Sequence, residues 1–435
     1  MREVQSIQAI GPKSICDFKY ASPSHHELPH VLKFSGGQTS GMLLFTLLEA
    51  GLLVAKRGDV VIFNNTSAEH PKTYEFTRLC KQLVENKYGI PFFWLEYQTY
   101  EDARSGEYTR LPSYRLVNTE PMSETNPDGY HWRGEVYEEL LSWIGFVPTV
   151  FQCPCTQSLK LETTRAFLKE WFANKPETKR LGHFGKSSRL EDDELYERHL
   201  RNGGGVPRDI FFEKKQFARA RPIYRPAQPY SDFSFPARRF QSLYIDENVF
   251  GESVIFGEDD VEYLSFVGLR SDEPHRAAKV RQRNSGGPES AGYHGEHAYM
   301  PLFDMGITKE DVEDFWEKQR WRLELASGDG LSNCVFCFLK GLKVLRSAHA
   351  ALGTVVDEEL QNTPCDLNWW VNLEQKYGRD MKAEEREMKR EIPNDFIGFF
   401  GANSAFSYQR LAESPRTKDS LAEFADSVLP CDCTD

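Results

Sequence analysis

The chain has 435 residues, a formal net charge of −12, 40% hydrophobic residues and 27% charged residues. A chain of this length buries a full core and is expected to form one large or two moderate domains. The acidic balance argues against a surface built throughout to bind nucleic acid, because phosphate contacts need clustered Lys and Arg. No apolar run is long enough to span a bilayer and no N-terminal stretch resembles a signal peptide, so we expect a cytoplasmic protein with no membrane contact.

A strand, a glycine-rich turn and a helix form the first predicted unit. The apolar run Val31–Phe34 ends at a small polar turn, and leucines at helical spacing follow. Such a turn directs backbone N–H groups and the positive end of a helix dipole at an anion. The candidate nucleotide-binding residues in this turn are Ser35, Gly36, Gly37, Gln38, Thr39 and Ser40.

Two more strands are predicted at Asp59–Thr66 and Pro91–Tyr97, separated by a helix over 72–87. Strands that alternate with helices predict a parallel sheet, with the ligand at the carboxyl ends of the strands. Residues 100–147 are predicted to form loops and one helix over Gly134–Ile144.

Polar residues follow the second strand at the edge where the ligand is expected. Asn65, Thr66 and Glu69 are candidate nucleotide-binding residues for this reason. Turn formation and helix capping are the alternative interpretation of the same three residues.

Four of the nine cysteines form two short-spaced pairs, Cys153-x-Cys155 and Cys334-x-x-Cys337. Two such pairs, brought together, bind a tetrahedral metal or an iron–sulfur cluster through thiolates. Spacing alone does not separate zinc from iron, although aromatic neighbours would shield a cluster from solvent. Cys16, Cys80 and Cys365 are interpreted as ordinary small apolar residues, and the odd total excludes a full disulfide framework.

Cys155 opens a helix predicted to run to about Phe172, and Lys160 lies one turn along it. A thiolate at a helix start is stabilised by the dipole, and the Lys160 ammonium can face an anion.

The segment Lys214–Phe240 is basic and aromatic. Arginine and aromatic side chains together suit phosphate contact and base stacking, so this segment is a candidate nucleic-acid contact. The alternative is a solvated loop that packs on the acidic surface of the same protein.

A cluster of charged residues follows the apolar run before Gly268. Arg270 and Arg276 are candidate phosphate or sulfate clamps, because guanidinium binds such anions in a bidentate manner. Glu273 is predicted to hold one of them or to bind Mg²⁺, and a surface ion-pair cluster is the alternative. Further on, Thr308 is a predicted helix N-cap that forms a capping box with Asp311.

Several ordered segments resemble the PP-loop ATP pyrophosphatase and PAPS reductase-like superfamily. The resemblance lies in the following strings: Ser35-Gly36-Gly37-x-x-Ser40, Asn65-Thr66-x-x-Glu69, Cys155-Thr156-x-x-Leu159-Lys160, Val267-Gly268-Leu269-Arg270-x-x-Glu273-x-x-Arg276, the block from Met300 to Val312, and Asn333-Cys334-x-x-Cys337-Phe338-x-Lys340. The chain has Gln38-Thr39 where thiolating and amidating members usually have a pair such as Lys-Asp.

The resemblance implies an α/β fold with a Rossmann-like parallel sheet of the adenine nucleotide alpha hydrolase type, a large insertion and a helical C-terminal extension. The expected division of the chain is an N-terminal extension at 1–29, a first nucleotide-binding part at 30–173, a basic and aromatic insertion at 174–262, a second nucleotide-binding part at 263–345 and the C-terminal extension at 346–435.

For function, the resemblance implies cleavage of ATP between the α- and β-phosphates with Mg²⁺, adenylation of a substrate, and sulfur transfer. The implied catalytic residues are Lys160, Arg270, Glu273 and Arg276. A [4Fe–4S] cluster is implied on Cys155, Cys334 and Cys337, with Cys153 either spare or the fourth ligand and zinc as the alternative metal.

Two other functions stay open at this stage. A sulfonucleotide reductase would use Cys431 or Cys433, although the tail lacks the Glu, Gly and His that surround the nucleophile in that family. A nucleotide-binding subunit of a larger assembly, such as a phage-defence complex, would need a protein partner for turnover.

Overall fold

The computed structural model describes residues 18–102, 109–149, 153–173, 228–229, 262–283, 295–326, 328–353, 357–380, 396–401 and 406–414. Most of the predicted N-terminal extension, nearly all of Lys214–Phe240, and the tail with Cys431 and Cys433 lie outside these residues. No helix in the described parts of the chain combines the length and apolar character needed to cross a membrane.

The strands are β1 (His30–Phe34), β2 (Val60–Asn65), β3 (Phe92–Asp102), β4 (Thr109–Val117), β5 (Gln228–Pro229), β6 (Tyr263–Val267), β7 (Glu296–Tyr299), β8 (Arg379–Asp380) and β9 (Phe396–Ile397). The helices are α1 (Gln38–Glu49), α2 (Pro71–Leu83), α3 (Glu135–Ile144), α4 (Thr163–Ala173), α5 (Pro274–Arg283), α6 (Pro301–Asp304), α7 (Lys309–Glu317), α8 (Gly341–Ala351), α9 (Leu367–Tyr377) and α10 (Tyr408–Glu413). Single π-helical turns continue α2 and precede α4.

The main sheet has the strand order β4-β3-β2-β1-β6-β7. β1, β2, β3, β6 and β7 are mutually parallel, β4 runs antiparallel to β3, and the short β5 adds to the end of β3. Helices cover both faces, so the predicted α/β class with a mostly parallel sheet is confirmed.

Side chains alternate along the buried strands and therefore contact different helices on the two faces of the sheet. In β2, Val61 and Phe63 pack in the core that contains α1, α2 and α7. Val60 and Ile62 point the opposite way, into the core that contains α4. Because side chains alternate with a period of two, one strand supplies both cores.

The prediction of loops before α3 is confirmed for 118–134 and was wrong for 100–102 and 109–117, which are strands. β3 continues to Asp102, and β4 pairs with it in register from Trp94↔Val117 to Asp102↔Thr109. Pro112 lies inside β4 and weakens any sequence-based prediction of a strand there, but an edge strand tolerates proline. Tyr114 of β4 is buried against α4, which supplies the packing that keeps this edge in place.

The described C-terminal segments pack into an apolar core of the protein. Side chains of α9 and α10, together with Phe399 and Phe400, share one apolar core with α3 and with the Cys334–Cys337 segment. Glu374 of α9 fastens this arrangement by accepting hydrogen bonds from the backbone N–H groups of Phe399 at 3.1 Å and Tyr408 at 3.0 Å.

Candidate nucleotide and thiol site

The sheet order reverses between β1 and β6, since β2 and β3 lie on one side of β1 and β6 and β7 on the other. The loops that leave the carboxyl ends of these two strands therefore meet across a crevice, the place where open α/β sheets bind ligands. The approach is close: a Cβ atom on Gly268, just after β6, would lie 3.2 Å from the Ser40 Cα atom in α1.

The turn after β1 closes on itself. The Ser35 and Ser40 hydroxyls lie 2.9 Å apart, the Ser35 backbone N–H donates to Ser40 Oγ at 3.2 Å, and Ser40 Oγ donates to the Gly37 carbonyl at 3.0 Å. Gly36 has a φ of +82°, and Gly37 is the N-cap of α1 without a capping side chain. First-turn N–H groups of α1 therefore lack a side-chain cap and suit an anion.

Two arginines converge beside this turn, held by one carboxylate. Arg270 Nη1 donates to Thr39 Oγ1 at 3.0 Å, and Arg270 Nε donates to Asp272 Oδ1 at 3.0 Å. Glu273 Oε2 accepts from the Arg270 backbone N–H at 3.0 Å, while Glu273 Oε1 pairs with Arg276 Nη1. All three charged side chains of the Arg270–Glu273–Arg276 group are mostly buried, so their directions are set by the protein.

One cavity of about 670 Å³ unites the turn, the arginines and the second cysteine pair. Its size lies within the range of pockets that enclose small-molecule ligands. The residues of this large cavity that the sequence singled out are Gly37, Gln38, Thr39, Arg270, Glu273, Arg276, Cys334 and Cys337. Between them lie apolar side chains, including Leu323, Leu325 and Val344.

A second, small pocket of about 10 Å³ lies on the other side of Cys334 and Cys337. Its wall also contains Cys155, Lys160 and Thr66. The two cysteine segments, almost 180 residues apart in the chain, thus contribute three cysteines to the wall of one pocket. Cys153 does not line this pocket; it is half-buried, with its Sγ 3.2 Å from Cys155 Sγ.

Two buried tyrosines, Tyr137 and Tyr408, face the same thiols. Burial raises the pKa of Tyr137 well above its ordinary value, and the nearby thiols of Cys155, Cys337 and Cys334 raise it further. The pKa of Tyr408 is also raised well above its ordinary value, first by burial and then by nearby charges that include these three thiols. The electrostatic neighbours and the pocket wall therefore identify the same three cysteines.

The donor set of the small pocket is compatible with a thiolate-bound metal or cluster, because three thiols line it with no carboxylate or imidazole. In the described residues, however, no group of three or more His, Cys, Asp or Glu has a metal-binding arrangement. The pocket volume of about 10 Å³ is close to the minimum for one water molecule.

Asn65 and Glu69 line neither of these two cavities. Asn65 is fully buried and donates from Nδ2 to Glu96 Oε1 at 2.8 Å and to the His131 carbonyl at 2.6 Å. Glu69 accepts from Thr66 Oγ1 at 2.7 Å and from the Tyr74 hydroxyl at 3.0 Å. The contacts of these side chains are internal. Asn65 Oδ1 also accepts from the Ser67 N–H at 2.7 Å in the turn after β2, whereas α2 is capped by His70 and not by Asn65, Thr66 or Glu69.

The loop after β2 is fastened to the cysteine segment instead. Glu69 and Cys334 form an isolated antiparallel bridge, and the Val335 N–H donates to the Ala68 carbonyl at 3.0 Å. Thr66 Oγ1 lies 3.3 Å from Cys334 Sγ. Through these contacts Cys334 lies at the same edge of the sheet as the turn after β1.

Sequence reasoning missed two supports of the cysteine segment. Lys340 Nζ donates to the carbonyls of Gly330 at 2.7 Å and Ser332 at 2.6 Å, which folds the chain around the ammonium. Trp370 of α9 lines the small pocket. The position of Lys340, three residues after Cys337, could have indicated this role from the sequence. Nothing in the sequence connects Trp370 with the cysteines.

No protein-family model, curated protein or solved structure matches the chain.

Proposed function

We propose that the chain is a PP-loop, PAPS reductase-like enzyme with a sheet of the adenine nucleotide alpha hydrolase type. In this proposal it binds ATP, cleaves it between the α- and β-phosphates and adenylates a substrate for sulfur transfer. The observation that carries the proposal is the single cavity shared by the N-terminus of α1, the Arg270–Glu273–Arg276 group and the thiols of Cys334 and Cys337.

Each part of the cavity wall has a task in such a reaction. The start of α1 and the guanidinium groups of Arg270 and Arg276 hold phosphate oxygens and stabilise the charge that develops on departing pyrophosphate. Glu273 keeps both guanidinium groups in position, so little reorganisation accompanies the reaction. Transfer of AMP to a substrate oxygen makes that oxygen a good leaving group for the sulfur nucleophile.

The three thiols would hold the metal centre for the sulfur-transfer step. Cys155, Cys334 and Cys337 would hold a [4Fe–4S] cluster, with zinc as the alternative, and a bound cluster would supply iron with high affinity for sulfur. Lys160, on the same pocket wall, adds a cation that favours thiolates and anionic sulfur.

The backbone at Ser67 supports the resemblance independently of side chains. Ser67 has a φ of +57°, a left-handed conformation that glycine adopts at little cost. The family segment that Asn65-Thr66-x-x-Glu69 resembles reads Asn-Thr-Gly-x-Glu, with glycine at this position. A glycine at this position would adopt the observed backbone at little cost, which supports the proposal.

The test is ATP-dependent pyrophosphate release by protein purified without oxygen, with Mg²⁺ and candidate acceptors. Arg270→Gln should weaken ATP binding roughly 10- to 100-fold, because a charge-assisted hydrogen bond of about 1.5–3 kcal/mol is lost. Arg281→Gln is the matched control, since Arg281 is exposed on α5 and pairs with Asp304 away from the cavity.

Other outcomes of the same experiment identify the alternatives. Release of sulfite from a sulfonucleotide with thioredoxin would establish the reductase. ATP binding without turnover, relieved by a partner protein, would establish a subunit of a larger complex. Protein that binds no adenine nucleotide would overturn the proposal.

We further propose a nucleic-acid acceptor that is contacted through Lys214–Phe240, because arginines there alternate with aromatic residues. Exchange of charge at Arg219, Arg221 and Arg225 should weaken nucleic-acid binding and reduce its salt dependence. Unchanged binding by this triple variant would rule out this segment as the nucleic-acid contact, and an unmodified protein that binds no nucleic acid would rule out the acceptor.

A further inference from the structure

Cys153 and Cys155 differ in exposure although their sulfur atoms lie 3.2 Å apart. Cys153 is half-buried, whereas Cys155 is 9% exposed and lines the small pocket with Cys334 and Cys337. A disulfide has an S–S distance of about 2.05 Å, so the two sulfurs need to approach by only about 1 Å. The pair therefore consists of one accessible thiol beside one thiol that belongs to the pocket.

We propose that Cys153 and Cys155 form a redox-active dithiol whose oxidation withdraws Cys155 from the three-thiol pocket. The oxidant is a low-molecular-weight disulfide of the glutathione class. Cys153 in this proposal is a regulatory thiol and not a fourth metal ligand.

The reaction is two successive thiol–disulfide exchanges. The Cys153 thiolate attacks one sulfur of the oxidant, the S–S bond of the oxidant breaks, and one thiolate leaves. The Cys155 thiolate then attacks the Cys153 sulfur of this mixed disulfide, and the second oxidant thiolate leaves. The two protein thiols lose two electrons and two protons, and the oxidant becomes two thiols.

Exposure and geometry set this order. An external disulfide reaches the half-buried Cys153 more readily than Cys155, and the short sulfur–sulfur distance favours closure over release of the mixed disulfide. Cys80 and Cys365 are poor competitors, because burial raises the pKa of both thiols, that of Cys365 to about 12. A thiol with a pKa in that range contains little thiolate at neutral pH.

Oxidation changes what the small pocket can hold. Closure of the disulfide leaves Cys334 and Cys337 as the only two thiols among the described residues of its wall. A site with two thiolates cannot hold a three-thiolate cluster, so the oxidised protein would lose this ligand set.

The test treats the purified full-length protein with oxidised glutathione, with and without prior removal of bound metal by a chelator. Remaining thiols are then alkylated, and linked peptides are identified by mass spectrometry. In both preparations we expect the first internal disulfide to join Cys153 and Cys155, with the loss of two hydrogen atoms from the chain. Dithiothreitol should reverse the change.

Two variants make the result specific. In Cys153→Ser, Cys155 should stay available to alkylation after the oxidant treatment, whereas Cys365→Ser should behave like the unmodified protein. If the first disulfide joins Cys334 and Cys337, involves any other pair, or does not form in either preparation, the proposal is wrong.

Discussion

Arg270 donates from Nη1 to the Thr39 hydroxyl at 3.0 Å, which joins the loop after β6 to the first turn of α1 across 231 positions of the chain. Both residues follow the carboxyl ends of adjacent parallel strands, so the sheet order produces the contact. The arginine therefore acts on the α1 N-terminus without belonging to the glycine-rich turn.

Replacement of Thr39 by Val should weaken nucleotide binding while the fold remains intact. The change removes the acceptor for Arg270 Nη1 and keeps the side-chain shape. A net hydrogen-bond contribution of about 1 kcal/mol corresponds to a rise in the Kd for ATP of roughly fivefold to tenfold. Isothermal titration calorimetry with ATP and Mg²⁺ measures the change.

Thr46→Val is the control on the same helix. The Thr46 hydroxyl donates to the Met42 carbonyl at 2.7 Å, and the residue lies outside the large cavity. Its Kd should match that of the unmodified protein. Equal losses of ATP affinity in both variants would show that the Arg270–Thr39 hydrogen bond does not contribute to ATP binding.

Local periodicity was sufficient to predict much of the sheet and its helices. The apolar runs at β1 and β2, the helix α3 and the capping box of α7 with Thr308 and Asp311 are all confirmed. The apolar runs and the capping residues of these elements are visible within short windows of sequence, although β1 and β2 pair with distant strands. β4 was missed because its stability comes from pairing with β3 and from burial of Tyr114, neither of which a local pattern contains.

The site was predictable by residue type but not by arrangement. The sequence identified Arg270, Arg276 and Glu273, yet not that one carboxylate pairs with both guanidinium groups. Cys334 reaches the pocket that Cys155 lines because the loop after β2 binds the second cysteine segment, a contact between distant parts of the chain. The packing of Tyr408 against these thiols likewise depends on tertiary contacts, since its hydroxyl bonds to the Phe336 carbonyl.

Gly36→Ala should destabilise the protein by more than the conformational cost of a positive φ at alanine. A Cβ at Gly36 would lie 2.6 Å from Thr73 Cγ2, in addition to the conformational cost at a φ of +82°. The two effects cost about 1–2 and 1–3 kcal/mol, so we expect a loss of roughly 2–5 kcal/mol in the free energy of unfolding. Urea unfolding at neutral pH measures this loss.

Two further variants separate the steric effect from the backbone effect. Gly51→Ala has a φ of +66° but meets nothing within 4 Å, so only the smaller conformational cost of about 1–2 kcal/mol should appear. Thr73→Ser removes Cγ2 and should recover part of the loss when it is combined with Gly36→Ala. No coupling in this double-mutant cycle would refute the contact between the turn and α2.

Glu374→Ala should release the C-terminal segments from the cysteine core. The substitution leaves the Phe399 and Tyr408 N–H groups without their buried acceptor, at a cost of about 1–3 kcal/mol each. Amide exchange should become faster over 396–401 and 406–414, and Cys337 should be alkylated faster. Glu413→Ala, at the exposed end of α10, should change neither rate; faster exchange confined to α9 would contradict the anchoring role.

His30 should make the free energy of unfolding fall as the pH is lowered. Burial, together with the charge of Arg57, lowers the pKa of His30 to about 3. The unfolded chain, with a pKa near 6.5, therefore binds a proton that the folded protein rejects over the interval between these values. The stabilisation is complete above pH 6.5 and is lost as the pH falls towards 3, at about 1.4 kcal/mol per pH unit.

Urea unfolding of His30→Gln between pH 7.5 and 4.5 measures this contribution as a slope, which is independent of any constant loss of stability. We expect the slope to decrease by about 1.4 kcal/mol per pH unit below pH 6. His26→Gln is the control, because the His26 side chain is 64% exposed and lies outside the buried environment of His30. An unchanged slope in His30→Gln would mean that His30 takes up its proton in the folded protein. In that case Nε2 would donate to the Tyr20 hydroxyl instead of accepting from it, while the hydrogen bond from Nδ1 to the Leu28 carbonyl would persist.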